Sequence, residues 1–401
     1  MIGDGSSRLM IIHRYFWPQN YPYAQMLKYI AQRASEEGNM VEVLTTHENK
    51  SEIDERKQLE TELGGLKVRS IKVAGGRGLS PVRKIIDALY FGIWVFIGLL
   101  RHRPTLAMVA TTPPVIMGAI VRWASKLGGF EYIYHCQDIH PEAMKLNGNL
   151  SQGWVYRWLS FLDKNNVNQA LHVIVLSNDM KKTLLKRGCR IDHVKIINNF
   201  VFEKPEEPKS TSLKNNSVVH FLFAGTMGRF QNLDLLIDAI MRYKDRTDVE
   251  FYFMGDGVCR KALESRIRSN DIHNVFFLGQ KSVHEAISAM ANADFGIVSL
   301  APNISEVAYP SKTMMYLSNG LPLFSIVDKG TELFDFINEN GLGIAVTPDS
   351  IDEVENAIER AINLHKEKFF VKADVAKIAE LHFGKKVVLD KFAEVFRECK
   401  S

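Results

Sequence analysis

Short apolar, β-branched runs recur along the whole chain with amphipathic stretches between them. In the first half they fall at Leu9–His13, Val41–Thr46, Val68–Val73, Leu106–Thr111, Tyr132–Cys136, Val173–Ser177 and Val194–Asn198. In the second half they fall at Val218–Gly225, Glu250–Met254, Val275–Gly279, Phe295–Leu300, Leu321–Val327 and Gly343–Val346. Runs that are apolar throughout, rather than alternating, predict parallel strands covered on both faces. The stretches between them predict helices. Ser282-Val283-His284-Glu285 and Ser350-Ile351-Asp352-Glu353 have the spacing of capping boxes, in which Ser and Glu satisfy each other's orphan N–H groups. After Asn232, the positions Leu233, Leu236, Ile237 and Ile240 form a helical apolar stripe.

Between the two sets lies Glu203 to Asn216, with two prolines, many charges and Leu213 as its one large apolar residue. That composition predicts a linker. The 401 residues exceed one ordinary domain, so the expectation is two doubly wound α/β domains, 1–202 and 217–375, joined by 203–216. Val375, Ile378, Leu381, Val388, Phe392, Val395 and Phe396 predict a helical end over roughly 372–401, with 376–401 set off from the second domain. Open parallel sheets bind ligands outside the carboxyl ends of their strands, and two such edges can face one another across a cleft.

Charge separates the halves. Residues 1–210 hold 28 Lys and Arg against 20 Asp and Glu, leaving 22 against 26 in the remainder. The formal net charge of +4 is too small to imply a nucleic-acid partner. The four cysteines, Cys136, Cys189, Cys259 and Cys399, have no CxxC spacing, which predicts free thiols in a reducing cytosol and no zinc site. The N-terminal residues lack the charged and apolar regions of a secretory signal. The longest apolar run, Leu89 to Leu100, is flanked by Arg83, Lys84, Arg101 and Arg103. It is short of the roughly 20 residues of a spanning helix; a buried helix and a helix lying on an anionic membrane surface both fit it.

Candidate chemistry sits at strand ends. The run Val218–Gly225 leads into Gly225-Thr226-Met227-Gly228-Arg229-Phe230-Gln231-Asn232 and then a helix. Small residues admit a ligand there, and Arg229 can hold a phosphate bidentately. The next strand ends in Met254-Gly255-Asp256-Gly257, another tight turn. Further on, Tyr309-Pro310-Ser311-Lys312-Thr313 through Gly320-Leu321-Pro322 has the start and stop signals of a short helix, which brings Lys312 to a strand end as a second cation.

These stretches resemble a family 4 glycosyltransferase of the GT-B fold, of the subgroup that builds bacterial O-antigens, capsules and exopolysaccharides. Tyr15-Phe16-Trp17-Pro18 resembles the family's first loop, and Ala110-Thr111-Thr112-Pro113-Pro114 resembles its SPP segment. Gln137-Asp138-Ile139-His140-Pro141-Glu142 resembles DLWPE. Val175–Ser177 through Ile197–Asn199 resembles the close of the first domain, and Pro310-Ser311-Lys312 with Gly320 and Pro322 resembles the donor-binding helix PSKxxEYxAAGxP.

The resemblance implies two Rossmann-like domains facing across a cleft, the C-terminal helix crossing back to the first. It implies retaining transfer from a nucleotide diphosphate sugar, UDP-linked by preference, with no cofactor or metal. The acceptor it implies is a lipid-linked saccharide at the cytoplasmic face of the membrane; the basic-flanked apolar run, read by itself, fits a peripheral membrane contact there through 83–103. Arg229 and Lys312 would neutralise the leaving diphosphate, and Asp138 and His140 would face the sugar or the acceptor hydroxyl. Gly228, Gln231, Gly255, Gly257, Pro310, Ser311, Thr313, Glu306, Met315, Asn20 and Tyr21 would line the donor site. Three positions depart from the family pattern. Val307 and Met315 stand where a Glu-x7-Glu pair is usual, leaving Glu306 as the nearby carboxylate. Gln231 stands in place of a Lys, and Tyr21-Pro22 in place of Gly-Gly. The missing carboxylates motivate one alternative, a catalytically silent GT-B protein that binds partners in an assembly complex. A nucleotide-sugar epimerase is another; it would need no acceptor.

Overall fold

The computed structural model describes residues 7–74, 80–110, 113–201 and 218–399; the expected linker 203–216 and Thr111-Thr112 lie outside them. The chain divides into two compact units. Unit 1 holds the residues up to Asn198 together with those from Val388 onward, and unit 2 runs from Asn199 to Val387.

Unit 1 alternates strand and helix. It begins β1 (Arg8–Ile12), α1 (Pro22–Glu36), β2 (Met40–His47), α2 (Lys50–Leu63), β3 (Leu66–Lys72) and α3 (Pro81–His102). It continues with β4 (Leu106–Ala110), α4 (Ile116–Gly128), β5 (Glu131–His135), α5 (Glu142–Leu146) and α6 (Trp154–Gln169). β6 (His172–Val175), α7 (Asn178–Lys186) and β7 (Val194–Ile196) close the sheet. Its seven strands pair in parallel in the order β3-β2-β1-β4-β5-β6-β7.

Unit 2 repeats the plan with β8 (Val219–Ala224), α8 (Leu233–Ile240), β9 (Val249–Met254), α9 (Arg260–Ser269), β10 (Val275–Gly279) and α10 (Val283–Asn292). β11 (Phe295–Ser299), α11 (Lys312–Ser318), β12 (Leu323–Ile326), α12 (Glu332–Glu339), β13 (Gly343–Val346) and α13 (Ile351–Lys366) follow. Six parallel strands run β10-β9-β8-β11-β12-β13. Strand order reverses between β1 and β4 in one sheet and between β8 and β11 in the other, and at such points the loops diverge and leave a crevice.

Each of the thirteen runs picked out by hydrophobicity overlaps one of the thirteen strands found among the described residues. In-register aromatic residues bind the second sheet: Phe221 pairs with Phe251 on one side and Phe295 on the other, with ring centroids 5.1 Å apart in both cases. Stacked or offset rings add to the area they bury.

Two local expectations change. Ser282 and Glu285 form a reciprocal capping box. Ser350 caps α13 by accepting from Glu353 N–H at 3.1 Å, but Glu353 turns its carboxylate to Thr347 Oγ1 instead. The chain end also divides later than 376. α14 (Lys372–Phe383) packs on α11 and buries Val375, Ala379 and Phe383 in the core of unit 2. Only from Val388, within α15 (Lys385–Glu398), does the chain rejoin unit 1. There Phe392 is buried against His135, and Asp390 pairs with Arg33 at 3.0 Å.

Candidate active site

In unit 2 the site is built where β8 and β11 part. β8 ends at Ala224, and Gly225 takes φ 153°, in a region L side chains rarely adopt. A Cβ there would come within 3.3 Å of Lys312 Cε and Nζ, so the glycine leaves the lysine its space. Lys312, the first residue of α11, lays its amine 3.7 Å from the centre of the Phe223 ring. Nζ is buried and has no hydrogen-bond partner. Burial lowers its pKa to about 7, because the charged form has lost its water. A cation–π contact offsets only part of that loss. An anion placed beside this amine would favour its charged form again.

Tyr316 fixes this position. One turn beyond Lys312, its hydroxyl accepts the Ala224 N–H at 2.7 Å, beyond the end of the strand ladder. Its ring lies over Gly296, where a Cβ would come within 3.0 Å of the ring carbons. Tyr316→Phe would leave the part-buried Ala224 N–H without its partner. It is expected to cost about 1 kcal/mol, read from the urea midpoint of unfolding.

Arg229 begins a 3-10 turn, Arg229–Gln231, before α8. It is exposed and makes no ion pair among the described residues. The Gln231 Oε1 accepts the Gly228 N–H at 3.0 Å and braces the loop. Gly255 and Gly257 are glycine for a reason visible in the loop packing itself. A Cβ at Gly255 would fall on the Gly225 carbonyl oxygen, and one at Gly257 would lie 2.6 Å from the Met227 carbonyl carbon. Gly225 N–H donates to Met254 O, and Met227 N–H to Asp256 O, both at 2.9 Å. These glycines thus admit the neighbouring loop, and lacing the two loops together sets the shape of the crevice.

Pro310 and Ser311 precede α11, but Ser311 is exposed and makes no capping bond. Thr313 is fully buried, its Oγ1 without a partner, and the Ser305 hydroxyl is in the same state. Gly320 ends the helix at φ 71°, and the Leu321 N–H reaches back to Tyr316 O at 3.0 Å, a Schellman-type stop. Val307 is buried, and Met315 packs half-buried against the core of unit 2, so apolar residues suit both places where carboxylates are missing. Glu306 follows β11 in a short turn, Ile304–Glu306, and lies close enough to Asp328 to raise its pKa. Burial is the larger cause of that rise, and Asp328 also accepts the Asn303 N–H at 2.7 Å. Asp328 carried no sequence signal.

In unit 1 the loop after β5 carries Asp138 and His140. Burial raises the Asp138 carboxyl to about 6 and lowers the His140 imidazole to about 4. His140 Nδ1 is buried without a partner, while its carbonyl accepts Arg187 Nη2 at 2.7 Å. Arg187 also binds Glu142 and Asp163, and those carboxylates hold it protonated. The loop after β1 is clamped by buried Arg56, which donates to the carbonyls of Trp17 at 2.8 Å, Thr46 at 3.0 Å and Phe16 at 3.2 Å. Asn20 is exposed beside it, and Tyr21 stacks on Tyr15 with centroids 4.2 Å apart. Pro22 then opens α1 without an N–H to offer an anion.

One cluster escaped the sequence reading. His13 and His135, at the ends of β1 and β5, both approach Tyr23. Gln137 Nε2 lies 2.9 Å from His135 Nε2, which directs the His135 Nδ1 proton to Tyr23 Oη at 2.8 Å. Burial lowers His13 to about 4 and His135 to about 3, so both are neutral near pH 7. Among the described residues no group of three or more His, Cys, Asp or Glu is placed to hold a metal ion.

Residues 23–199 match the family model for a glycosyl transferase 4-like domain, and residues 219–363 match that for glycosyl transferases group 1. Both halves of the chain carry GT-B glycosyltransferase domains. This glycosyltransferase is similar to the probable glycosyltransferase WbjE of Pseudomonas aeruginosa, 22% identical over 308 residues that cover 74% of this chain and 75% of the relative. Its fold matches Anabaena HepE in complex with UDP, with a TM-score of 0.70 and 17% identity over 98% of this chain and 100% of that one. Sucrose-phosphate synthase from Thermosynechococcus elongatus matches with a TM-score of 0.74 and 12% identity, covering 98% of each chain. These likenesses establish the GT-B fold that the sequence motifs implied.

Proposed function

We propose that this glycosyltransferase moves a sugar, with retention, from a UDP-linked donor bound by unit 2 to a lipid-linked saccharide acceptor bound by unit 1. The observation that carries the reading is the buried, unpartnered amine of Lys312 at the end of β8, with the unpaired Arg229 on the next loop. As the bond from anomeric carbon to diphosphate oxygen breaks, negative charge collects on the diphosphate, and these two cations meet it. Glu306 and Asp328 supply carboxylates for the nucleotide's hydroxyls. The acceptor oxygen forms the new bond, and its proton leaves on the departing diphosphate. Asp138, ionised above about pH 6, orients the acceptor hydroxyl. A UDP donor is supported by the HepE structures, which hold UDP and UDP-glucose. The acceptor class is supported by the solved lipopolysaccharide galactosyltransferase WaaB, a fold relative at 16% identity.

The test incubates the protein with UDP-sugars and a lipid-linked saccharide extract, following UDP release and the anomeric configuration of the product. Acceptor-dependent release with a retained anomer is expected. Nucleotide binding without turnover would favour the silent-partner reading, which the apolar Val307 and Met315 motivate. A sugar epimerised without acceptor would favour the epimerase. The profile of rate against pH supplies a separate prediction. Asp138 is protonated below its raised pKa, so the rate is expected to climb as pH passes through about 6. Asp138→Asn is expected to lose that limb.

A further inference from the structure

α3 is apolar on both sides. Its inner side buries Phe91, Val95 and Leu99. Gly92 lies against α4, where a Cβ would fall 2.6 Å from Ile120 Cδ1. A surface helix ordinarily turns polar residues outward, yet here the outward stripe is Ile85, Leu89, Ile93 and Ile97, at helical spacing, with Ile93 61% exposed. The neighbouring helix continues it: Trp123 is 53% exposed and Leu127 67%. A contiguous exposed apolar face of this kind marks an interaction surface.

Charge identifies the occupant. Between residues 81 and 130 the chain has six Lys and Arg, and its single carboxylate, Asp87, is buried and paired with Arg83. Arg83 and Lys84 stand at one end of the stripe, Arg101 and Arg103 at the other, and exposed Lys126 beside Trp123. A two-fold pairing of two copies through this face would set an all-positive rim against itself. A bilayer surface rich in anionic headgroups takes both features at once, acyl chains receiving the stripe and headgroups the cations. The inner side of α3 is packed on its own domain, so the helix lies on the membrane rather than crossing it. We propose that α3 and α4 together form a peripheral docking face for anionic lipid. This goes beyond the transfer reaction and does not depend on it.

Flotation of the full chain with vesicles of phosphatidylcholine alone, or with a minority of phosphatidylglycerol, tests it. The wild type is expected to float with the anionic vesicles, less so at high salt, and to stay behind with the neutral ones. Ile93→Glu should abolish flotation, and Lys84→Glu/Lys126→Glu should weaken it on the order of tenfold. Both replace exposed side chains, and an unchanged melting curve verifies the fold. Trp emission should shift to the blue on adding anionic vesicles, and Trp123→Phe should remove most of that shift. A wild type that does not float, variants that float equally well, or a dimer in light scattering that Ile93→Glu dissolves would each overturn the proposal.

Discussion

Replacing Lys312 by methionine is expected to lower sugar transfer by about 100- to 1,000-fold while leaving the protein at least as stable. The two effects have one cause. The amine is buried, unpartnered and desolvated until an anion arrives. It contributes to the transition state and works against the empty fold. The sign of its pH dependence follows. In the folded chain the amine titrates near 7, and in the unfolded chain at the ordinary lysine value of about 10.4. Between these values the unfolded state binds more protons, so this group makes stability rise with pH across that window. The stability advantage of Lys312→Met should be largest below pH 7 and fade toward pH 10. Urea unfolding at several pH values measures it. A variant that is less stable at pH 6, or one that keeps its rate, would contradict the role given to this amine.

Arg187→Met is expected to destabilise unit 1 by about 3–5 kcal/mol. Arg187 and Asp163 are 6% and 4% exposed, and Asp163 also accepts the Tyr134 hydroxyl at 2.6 Å. Removing the guanidinium leaves a buried carboxylate without its cation and releases the His140 carbonyl and Glu142, which tie down the loop carrying Asp138. Activity should therefore fall with stability. Arg187→Met/Asp163→Asn should recover much of the stability, because the deeply buried carboxylate is then neutral and only the more exposed Glu142 is left without its cation. Denaturant melts of the two variants decide the point; equal losses in both would place the cost elsewhere.

The strands and the glycosyltransferase fold were legible because a parallel strand covered on both faces writes its burial as a continuous apolar run, as at Val219–Ala224. Lys312 and Arg229 could be singled out because Arg229 follows β8 in a turn and Lys312 opens a helix with clear start and stop signals. What sequence could not carry was pairing across distance. Tyr316 reads as an ordinary helical aromatic until its hydroxyl meets Ala224 N–H, 92 residues away. Gly255 and Gly257 read as room for a nucleotide; that they also make room for the loop beside them shows only in the fold. His13, Tyr23 and His135 come together only because β1 and β5 flank β4 in the sheet. The apolar run at 89–100 gave α3, but the stripe's continuation onto Trp123 and Leu127 depends on α4 packing alongside.

The central claim is that the donor's diphosphate is received by Lys312 with Arg229. Calorimetric titration with UDP near pH 8, in buffers of different ionisation enthalpy, tests it most directly. Because the free amine is then largely neutral and the bound one charged, UDP binding should take up about one proton. Arg229→Ala should weaken binding with proton uptake retained, and Lys312→Met should abolish the uptake and most of the affinity. UDP binding to the Lys312→Met variant with unchanged affinity and the same proton uptake would contradict the account.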